Sequence, residues 1–253
     1  MADKLIPADL QRMKREGRKI AAGVAYDFPM AKICERAGVD LLSVGDSVGR
    51  ALLGQDNVDD FTVDEMLVFG RAVGRAAEHA VVSVDMPTAT CKAGPKAVME
   101  ATRRIKAEAH ADMTKVDIRT MEEQLFDDVR AVIEAGLAVY PQMGFQVGEP
   151  AHSDSAAHDH VMKWAHALED AGASLIDLTN VSHEIYGEVS KTLRIPVIGG
   201  QTGPEADGRI YVMAALVGYR PDALDRTDGA PTAARLIYDL AEKAFANVHA
   251  GAW

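Results

Sequence analysis

The sequence predicts a single (β/α)8 barrel, the TIM-barrel fold, occupying residues 1–253 as one α/β domain. Short apolar runs rich in β-branched residues alternate with longer segments whose apolar residues recur every three or four positions. This strand–helix alternation is typical of a parallel sheet, and 253 residues suit one barrel. No predicted strand is followed by a GxGxxG pattern, so we favour the barrel over an open doubly wound sheet.

The predicted elements follow one another in the order that a barrel requires. An N-terminal helix over residues 7–16 precedes the first strand, where it would close the bottom of the barrel or serve in assembly. Seven strands are predicted, over residues 20–26, 39–44, 80–84, 113–118, 137–140, 175–178 and 195–198. Helices are predicted over residues 63–79, 96–109, 121–134, 156–171 and 184–193. Residues 218–224 are the only segment left for an eighth strand, before a closing helix over residues 232–248.

Glycines mark the ends of three of these repeating units. The pairs Ala37-Gly38, Ala135-Gly136 and Ala171-Gly172 stand where a helix ends and the next strand begins. Glycine is favoured there because it adopts the left-handed conformation that ends a helix.

Composition excludes several classes of partner. The net charge of -11 would repel nucleic acids and anionic membranes, so we expect neither as a partner. No apolar run approaches the roughly 20 residues that cross a bilayer. The two cysteines, Cys34 and Cys91, show no CxxC spacing, and the charged start does not resemble a signal peptide. We therefore expect a cytoplasmic protein with two free, buried thiols.

Polar residues follow three consecutive predicted strands, at the end of a barrel where active sites lie. Asp46 and Ser47 follow the second strand, Asp85 follows the third, and the fourth carries Lys115 and Asp117. Aspartates after strands are also common helix caps, which is the alternative reading of each one. Their coincidence favours a site in which Asp46 and Asp85 bind Mg²⁺, Mn²⁺ or Co²⁺, with Asp117 as a third ligand or acting through a metal-bound water.

Lys115 and Asp117 are two residues apart on a strand and so point to the same face. A salt bridge alone would explain the pair. A lysine beside a metal would also stabilise the enolate oxygen of a small 2-oxo acid, which makes Lys115 a candidate catalytic and substrate-binding residue.

At these residues the chain resembles the ketopantoate hydroxymethyltransferase family, within the phosphoenolpyruvate mutase and isocitrate lyase superfamily of barrels. The matching segments are Ala25-Tyr26-Asp27, Ala37-Gly38-Val39-Asp40, Val44-Gly45-Asp46-Ser47, Thr62-Val63-Asp64-Glu65-Met66, Asp85-Met86-Pro87, Lys115-Val116-Asp117, Ile195-Pro196-Val197-Ile198-Gly199 and Asp207-Gly208. The resemblance implies that Asp46 and Asp85 bind Mg²⁺ and that Ser47 and Lys115 hold the 2-oxo acid. It also implies hydroxymethylation of 3-methyl-2-oxobutanoate by 5,10-methylenetetrahydrofolate, in a homo-oligomer of five or ten subunits.

Three positions depart from the family pattern. Thr179 stands where the family has its catalytic glutamate, and a threonine hydroxyl cannot serve as a carboxylate base. Asp177, two residues earlier on the same face, is the candidate substitute. Asp117 replaces a glutamate, and Gln142 replaces a histidine that faces the substrate. The region 146–160 contains His152, His158 and His160, which we interpret as an active-site lid rather than a zinc site.

Three hypotheses about function remain open. The first is a hydroxymethyltransferase or aldolase that adds the enolate of a 2-oxo acid to a one-carbon donor or an aldehyde. The second is a carbon–carbon lyase or decarboxylase, in which bond cleavage forms the enolate and no base is needed at position 179. The third is a non-catalytic barrel that binds a ligand. The glycine-rich segment 199–203 could bind phosphate, but nothing else in the sequence supports that use.

Overall fold

The computed structural model describes residues 3–119, 122–147 and 151–252. The chain divides into two compact units, one reaching to Ile210 and one beginning at Tyr211. The sequence-based expectation of one domain over residues 1–253 stays a prediction.

Eight parallel strands form the TIM barrel, in the order β7-β6-β5-β4-β3-β2-β1-β8. They are β1 Ile20–Val24, β2 Leu41–Val44, β3 Val81–Asp85, β4 Met113–Asp117, β5 Ala138–Gly144, β6 Ile176–Thr179, β7 Val197–Ile198 and β8 Gly208–Val212. Two backbone hydrogen bonds join the ends of this order: the Asp207 amide donates to Val197 over 3.0 Å and the Ile210 amide to Gly199 over 3.2 Å. The predicted fold is confirmed, and seven strands lie where the sequence predicted them.

The eighth strand was predicted in the wrong place. It runs over Gly208–Val212, whereas Gly218 is a left-handed turn residue and Pro221–Asp225 form a 3-10 helix. Pro221 favours that helix because its ring fixes φ and removes a backbone donor. Gly208 permits β8 to approach β1, since a Cβ there would lie 2.2 Å from the Ile20 carbonyl oxygen.

The described residues form eleven α-helices. They are α1 Pro7–Arg15, α2 Phe28–Arg36, α3 Val48–Leu53, α4 Val63–Ala76, α5 Thr88–Lys92, α6 Pro95–Ala109, α7 Glu122–Glu134, α8 Ser155–Ala171, α9 His183–Thr192, α10 Met213–Leu216 and α11 Ala233–His249. All predicted helices are confirmed within a few residues, except that Met121 lies outside the described residues. Gly38, Gly136 and Gly172 have φ of 87°, 80° and 101°, which confirms them as helix caps.

Helix α1 closes the bottom of the barrel, as one sequence-based alternative proposed. Leu10 and Met13 on this helix are completely or almost completely buried. Gln11 donates to the Ser174 carbonyl oxygen over 3.3 Å, just before β6, and Lys14 pairs with Asp207 at 2.8 Å, just before β8. The helix therefore caps the amino ends of the strands and leaves their carboxyl ends for chemistry.

The second unit contains α10, the 3-10 helix and α11. The Ala233 amide donates to the Val217 carbonyl oxygen over 2.8 Å, and Arg235 donates to the Leu224 carbonyl oxygen over 2.8 Å. These bonds fix the start of α11 against the preceding turn and 3-10 helix.

Both cysteines are free and buried. Of the helices in the described residues, none has the length and apolar character needed to cross a bilayer.

Candidate active site

The register of the parallel strands brings a lysine and two aspartates together inside the barrel. Asp85 on β3 lies opposite Lys115 on β4, and Gln142 on β5 lies opposite Asp177 on β6. The Lys115 Nζ lies 2.9 Å from Asp85 Oδ2 and 3.9 Å from Asp177 Oδ2. All three side chains are largely or fully buried, so these charges interact with little screening by water.

Lys115 keeps its positive charge in this environment. Burial opposes the charged form, but Asp85, Asp177 and Asp46 together outweigh burial and raise the pKa of Lys115 above its usual value. A permanent ammonium group therefore stands at the centre of the site.

Asp85 is a buried carboxylate in contact with Lys115. Burial raises its pKa to about 7, with a further increase from Asp46, although Lys115 and Ser43 act in the opposite direction. Ser43 Oγ donates to Oδ1 over 3.2 Å. Oδ2 is in ionic contact with Lys115 but lacks a well-aligned hydrogen bond, so this buried oxygen keeps capacity to accept a cation.

The surroundings of Asp85 Oδ2 fit a divalent metal. A Cβ at Gly45 would lie 3.7 Å from this oxygen and 3.0 Å from Ser47 Oγ, so the glycine keeps space open beside it. Asp46 follows Gly45 and accepts a hydrogen bond from Thr88 Oγ1 over 3.2 Å. Two carboxylates with room for water and substrate oxygens suit Mg²⁺. The described residues contain no group of three or more His, Cys, Asp or Glu side chains that could hold a metal ion.

Asp117, the third predicted ligand, is engaged by Arg119. The Arg119 Nε donates to Asp117 Oδ1 over 2.9 Å, and its backbone amide donates to the same oxygen over 3.1 Å. Burial raises the pKa of the Asp117 carboxyl, but the hydrogen bonds from Arg119 outweigh burial, and the pKa lies below its usual value. Metal ligation by Asp117 stays a prediction that requires this pair to loosen.

Ser47, predicted to bind substrate, is linked to a residue that the sequence analysis did not select. Its Oγ lies 2.8 Å from the hydroxyl of Tyr26, which follows β1. Burial raises the pKa of Tyr26, so its phenol stays protonated and can donate a hydrogen bond. Tyr26 could have been found, because it follows a strand and lies within a segment shared with the family.

Asp177, the candidate substitute base, is buried. Burial raises its pKa to about 6, and Lys115 and Arg119 limit the increase. The Tyr140 hydroxyl faces this carboxylate, but the hydroxyl oxygen of Tyr140 lacks a well-aligned hydrogen bond. Asp177 is therefore ionised at neutral pH, and its pKa lies closer to neutrality than that of an ordinary aspartate.

Thr179 and Gln142 form a polar pair at the carboxyl ends of β6 and β5. The Gln142 Nε2 donates to Thr179 Oγ1 over 3.1 Å. Gly144 lets the strands meet closely, since a Cβ there would lie 2.2 Å from the Thr179 carbonyl oxygen. β6 ends at Thr179, so this residue lies at the carboxyl end of the sixth strand.

The histidines after β5 form stacking and hydrogen-bonding contacts. The rings of His152 and Phe145 stack with centroids 3.9 Å apart, and His158 Nε2 lies 2.7 Å from Glu188 Oε2. Asn180, with φ of 58°, donates through Nδ2 to the Gln146 carbonyl oxygen over 2.6 Å. The Asn180 bond holds the start of the segment after β5 against the end of β6, and the His158 contact joins α8 to α9.

The barrel and its strand-end site place the chain in a class of α/β-barrel enzymes. The family model for ketopantoate hydroxymethyltransferase matches residues 4–245, and the chain belongs to this family. It is 36% identical over 229 residues to 3-methyl-2-oxobutanoate hydroxymethyltransferase of Alkalilimnicola ehrlichii, covering 86% of this chain and 80% of the relative. The enzyme of the same name from Geobacillus thermodenitrificans is 34% identical over 220 residues, covering 84% and 78%.

Solved structures of other enzymes share the fold. Phosphonopyruvate hydrolase superposes with a TM-score of 0.68 at 16% identity, over 98% of this chain and 99% of that one. 2,3-Dimethylmalate lyase, of the PEP mutase/isocitrate lyase superfamily, superposes with a TM-score of 0.66 at 16% identity, over 100% and 97%. These structures show that the fold is shared, and the family supports an aldolase-like reaction on a 2-oxo acid.

Proposed function

We propose that this enzyme is a metal-dependent hydroxymethyltransferase or aldolase that forms the enolate of a small 2-oxo acid and adds it to a one-carbon donor or aldehyde. The observation that carries the proposal is the buried Lys115 ammonium group beside Asp85, whose Oδ2 retains capacity for a cation. A fixed positive charge in a buried site stabilises a developing oxyanion more strongly than the same charge in water.

The residues of the chain have separate proposed roles. Asp46 and Asp85 would hold Mg²⁺, Mn²⁺ or Co²⁺, which when bound polarises the ketone and carboxylate oxygens and so acidifies the neighbouring C–H bond. Lys115 would bind the 2-oxo acid and stabilise the enolate oxygen. Ser47, oriented by Tyr26, would donate a hydrogen bond to the substrate carboxylate.

Proton removal is proposed for Asp177. Thr179 lacks the basicity for this step, whereas Asp177 combines a pKa of about 6 with a position 3.9 Å from Lys115 Nζ. Gln142 and Thr179 would form the wall beside the reacting carbon. On the family resemblance, the one-carbon donor would be 5,10-methylenetetrahydrofolate. The cytoplasmic location stays a prediction from the cysteines and the charged start, and the homo-oligomer stays a prediction of the family resemblance.

The second candidate is a carbon–carbon lyase or decarboxylase that uses the same enolate site. Thr179 in place of a carboxylate favours it, because bond cleavage would form the enolate without a base at that position. Release of CO2 or an aldehyde from candidate 2-oxo acids distinguishes it from the first.

Deuterium exchange tests the proposed enolisation directly. The purified enzyme is incubated with 3-methyl-2-oxobutanoate and Mg²⁺ in D2O without folate, and the C3 proton is followed by NMR. We expect loss of the proton signal, prevented by EDTA and by Asp85→Asn. Absence of exchange with Mg²⁺ bound would contradict enolisation of this substrate and favour the cleavage reaction.

A further inference from the structure

Arg119 engages both carboxylate oxygens of Asp117. The Arg119 Nε and backbone amide donate to Oδ1 over 2.9 and 3.1 Å, and the Arg119 Nη2 donates to Oδ2. A two-point contact between a guanidinium and a carboxylate is among the stronger charge-assisted hydrogen-bonding arrangements in proteins. Asp117 would have to give up these bonds in order to bind a metal.

The pair is partly shielded from water. The side chain of Arg119 is 17% exposed and that of Asp117 is 33% exposed. An ion pair on an open surface contributes little to stability, because water and salt screen it and two side chains must be ordered. Screening is weaker for this pair, so its bonds compete more effectively with other partners of the carboxylate.

The backbone beside the pair is fixed to the barrel. Asp117 lies opposite Gln142 in the β4–β5 register, and the next amide, of Ile118, donates to the Gln142 carbonyl oxygen over 2.8 Å. The side chain of Ile118 is fully buried. Arg119 follows directly, so the anchored end of β4 sets the position from which its guanidinium turns back onto Asp117.

Arg119 also faces the rest of the site. Burial lowers the pKa of Arg119, but the hydrogen bond and charge of Asp117, together with the charges of Asp177 and Asp46, raise it above its usual value. The guanidinium therefore stays charged and lies within electrostatic range of Asp46, which is one of the proposed metal ligands. An unpaired cation there would repel a divalent metal, whereas the pair with Asp117 carries no net charge.

Asp117 differs in its partners from the other two candidate ligands. Asp46 accepts a hydrogen bond from an uncharged hydroxyl, and Asp85 Oδ2 lacks a well-aligned hydrogen bond although it contacts Lys115. Asp117 is also one methylene shorter than the glutamate of the family, so its carboxylate reaches less far from the strand. In the part of the chain that the structure describes, no three His, Cys, Asp or Glu side chains converge on a metal position.

We propose that Arg119 is a positioning residue that keeps Asp117 out of the metal site, so that Asp46 and Asp85 alone hold the divalent metal. The inference rests on the proposed function, because it assumes a metal at these two carboxylates. Mg²⁺ prefers octahedral oxygen coordination, so fewer protein ligands leave more positions for water and for the ketone and carboxylate oxygens of the 2-oxo acid. Arg119 would thus serve the reaction without contacting the substrate.

The affinity of a charge-neutral double variant for Mg²⁺ tests this role. Asp117→Asn/Arg119→Met removes one negative and one positive charge together, so the net charge of the site does not change. Titration calorimetry measures Mg²⁺ binding to the purified enzyme without substrate. We expect the dissociation constant of the double variant to lie within about threefold of the wild-type value. A larger increase would show that Asp117 contributes to metal binding, directly or through a water, and would overturn the proposal.

The single variant should show the opposite of a lost ligand. Arg119→Met removes the guanidinium and frees the Asp117 carboxylate, so Mg²⁺ should bind about tenfold more tightly than to the wild-type enzyme. Adding Asp117→Asn should cancel this increase in affinity. Unchanged affinity in folded Arg119→Met would overturn the proposal, because Arg119 would then not compete with the metal for Asp117. The double variant leaves no carboxylate unpaired, so it decides the question even if Arg119→Met alone does not fold.

Two further variants separate this inference from the proposed function. Arg220→Met/Asp222→Asn removes an exposed pair with the same two-residue spacing, 2.8 Å apart, and should leave Mg²⁺ affinity unchanged. Asp85→Asn should abolish Mg²⁺ binding. If Asp85→Asn abolishes binding and the Asp117→Asn/Arg119→Met variant is weakened beyond threefold, the role of Arg119 is overturned and the proposed metal site stands. Absence of Mg²⁺ binding to the wild-type enzyme would contradict both the metal dependence and the role of Arg119.

Discussion

Lys115 Nζ lies 2.9 Å from Asp85 Oδ2, and the strands that carry the two residues place them directly opposite each other. The pair is buried, yet the carboxylate oxygen lacks a well-aligned hydrogen bond. This arrangement leaves a fixed cation and an available anionic oxygen side by side. The proposed metal site and enolate site both depend on it.

Lys115→Met should remove most of the enolisation activity. We expect the rate of metal-dependent deuterium exchange on 3-methyl-2-oxobutanoate to fall by about 100-fold or more, since the variant loses a charge that stabilises the developing oxyanion. The matched control is Lys191→Met, an exposed lysine on α9. Because the change leaves Asp85 buried without its cation, the folded fraction is checked by circular dichroism. An exchange rate equal to that of the control, in folded protein, would rule out this role for Lys115.

Divalent metal should stabilise the folded enzyme through Asp85. At a Mg²⁺ concentration about 100 times its dissociation constant, we expect the free energy of unfolding to rise by about 2.7 kcal/mol. Asp85→Asn should abolish the increase, and EDTA should reverse it in the wild-type protein. The control is Asp170→Asn, whose carboxylate is exposed on α8. Thermal unfolding with and without Mg²⁺ measures the effect, and an equal response in Asp85→Asn would place the metal elsewhere.

Much of the candidate site could be predicted, because the residues that follow parallel strands all lie at one end of the barrel. That rule selected Asp46, Asp85 and Lys115, and the structure places Lys115 beside Asp85 and within electrostatic range of Asp46. It missed Arg119, because only the folded loop shows that the guanidinium turns back onto Asp117.

The misplaced eighth strand has a similar cause. Gly208–Val212 is a five-residue strand beginning at a glycine, so its local pattern is weak. Its strand character depends on the approach of β8 to β1 that Gly208 permits, which is a tertiary contact. The longer helices, by contrast, were predictable from apolar periodicity alone.

Asp177→Asn should change the pH dependence of enolisation. Burial raises the pKa of Asp177 to about 6, and a general base acts in its ionised form. Wild-type exchange at saturating Mg²⁺ should therefore rise as pH increases through about 6 and level off above it. The variant should be at least about 100-fold slower and lack this rise. Asp170→Asn serves as the control. If the exchange rate of Asp177→Asn showed the same rise with pH, the base would be another group.

Asp128→Asn should stabilise the protein at neutral pH. Asp128, on α7, is 1% exposed, and neither carboxylate oxygen has a hydrogen-bond partner among the described residues. Burial, with a contribution from Asp127, raises its pKa to about 6. Because the folded pKa exceeds the unfolded value of about 3.9, the folded state binds the proton more tightly, and stability is lost as pH rises between these values.

Asp128→Asn removes the buried negative charge and should therefore remove the loss of stability at high pH. At pH 7.5 we expect Asp128→Asn to raise the free energy of unfolding by up to about 3 kcal/mol, the equivalent of a two-unit pKa shift. At pH 4 the advantage should disappear, since Asp128 is then protonated in the folded protein. Urea unfolding at both pH values measures this, with the exposed neighbour Asp127→Asn as control, expected to change stability by less than about 0.5 kcal/mol. An equal effect of Asp128→Asn at pH 4 and pH 7.5 would show that the carboxylate is not held at a cost in the folded state.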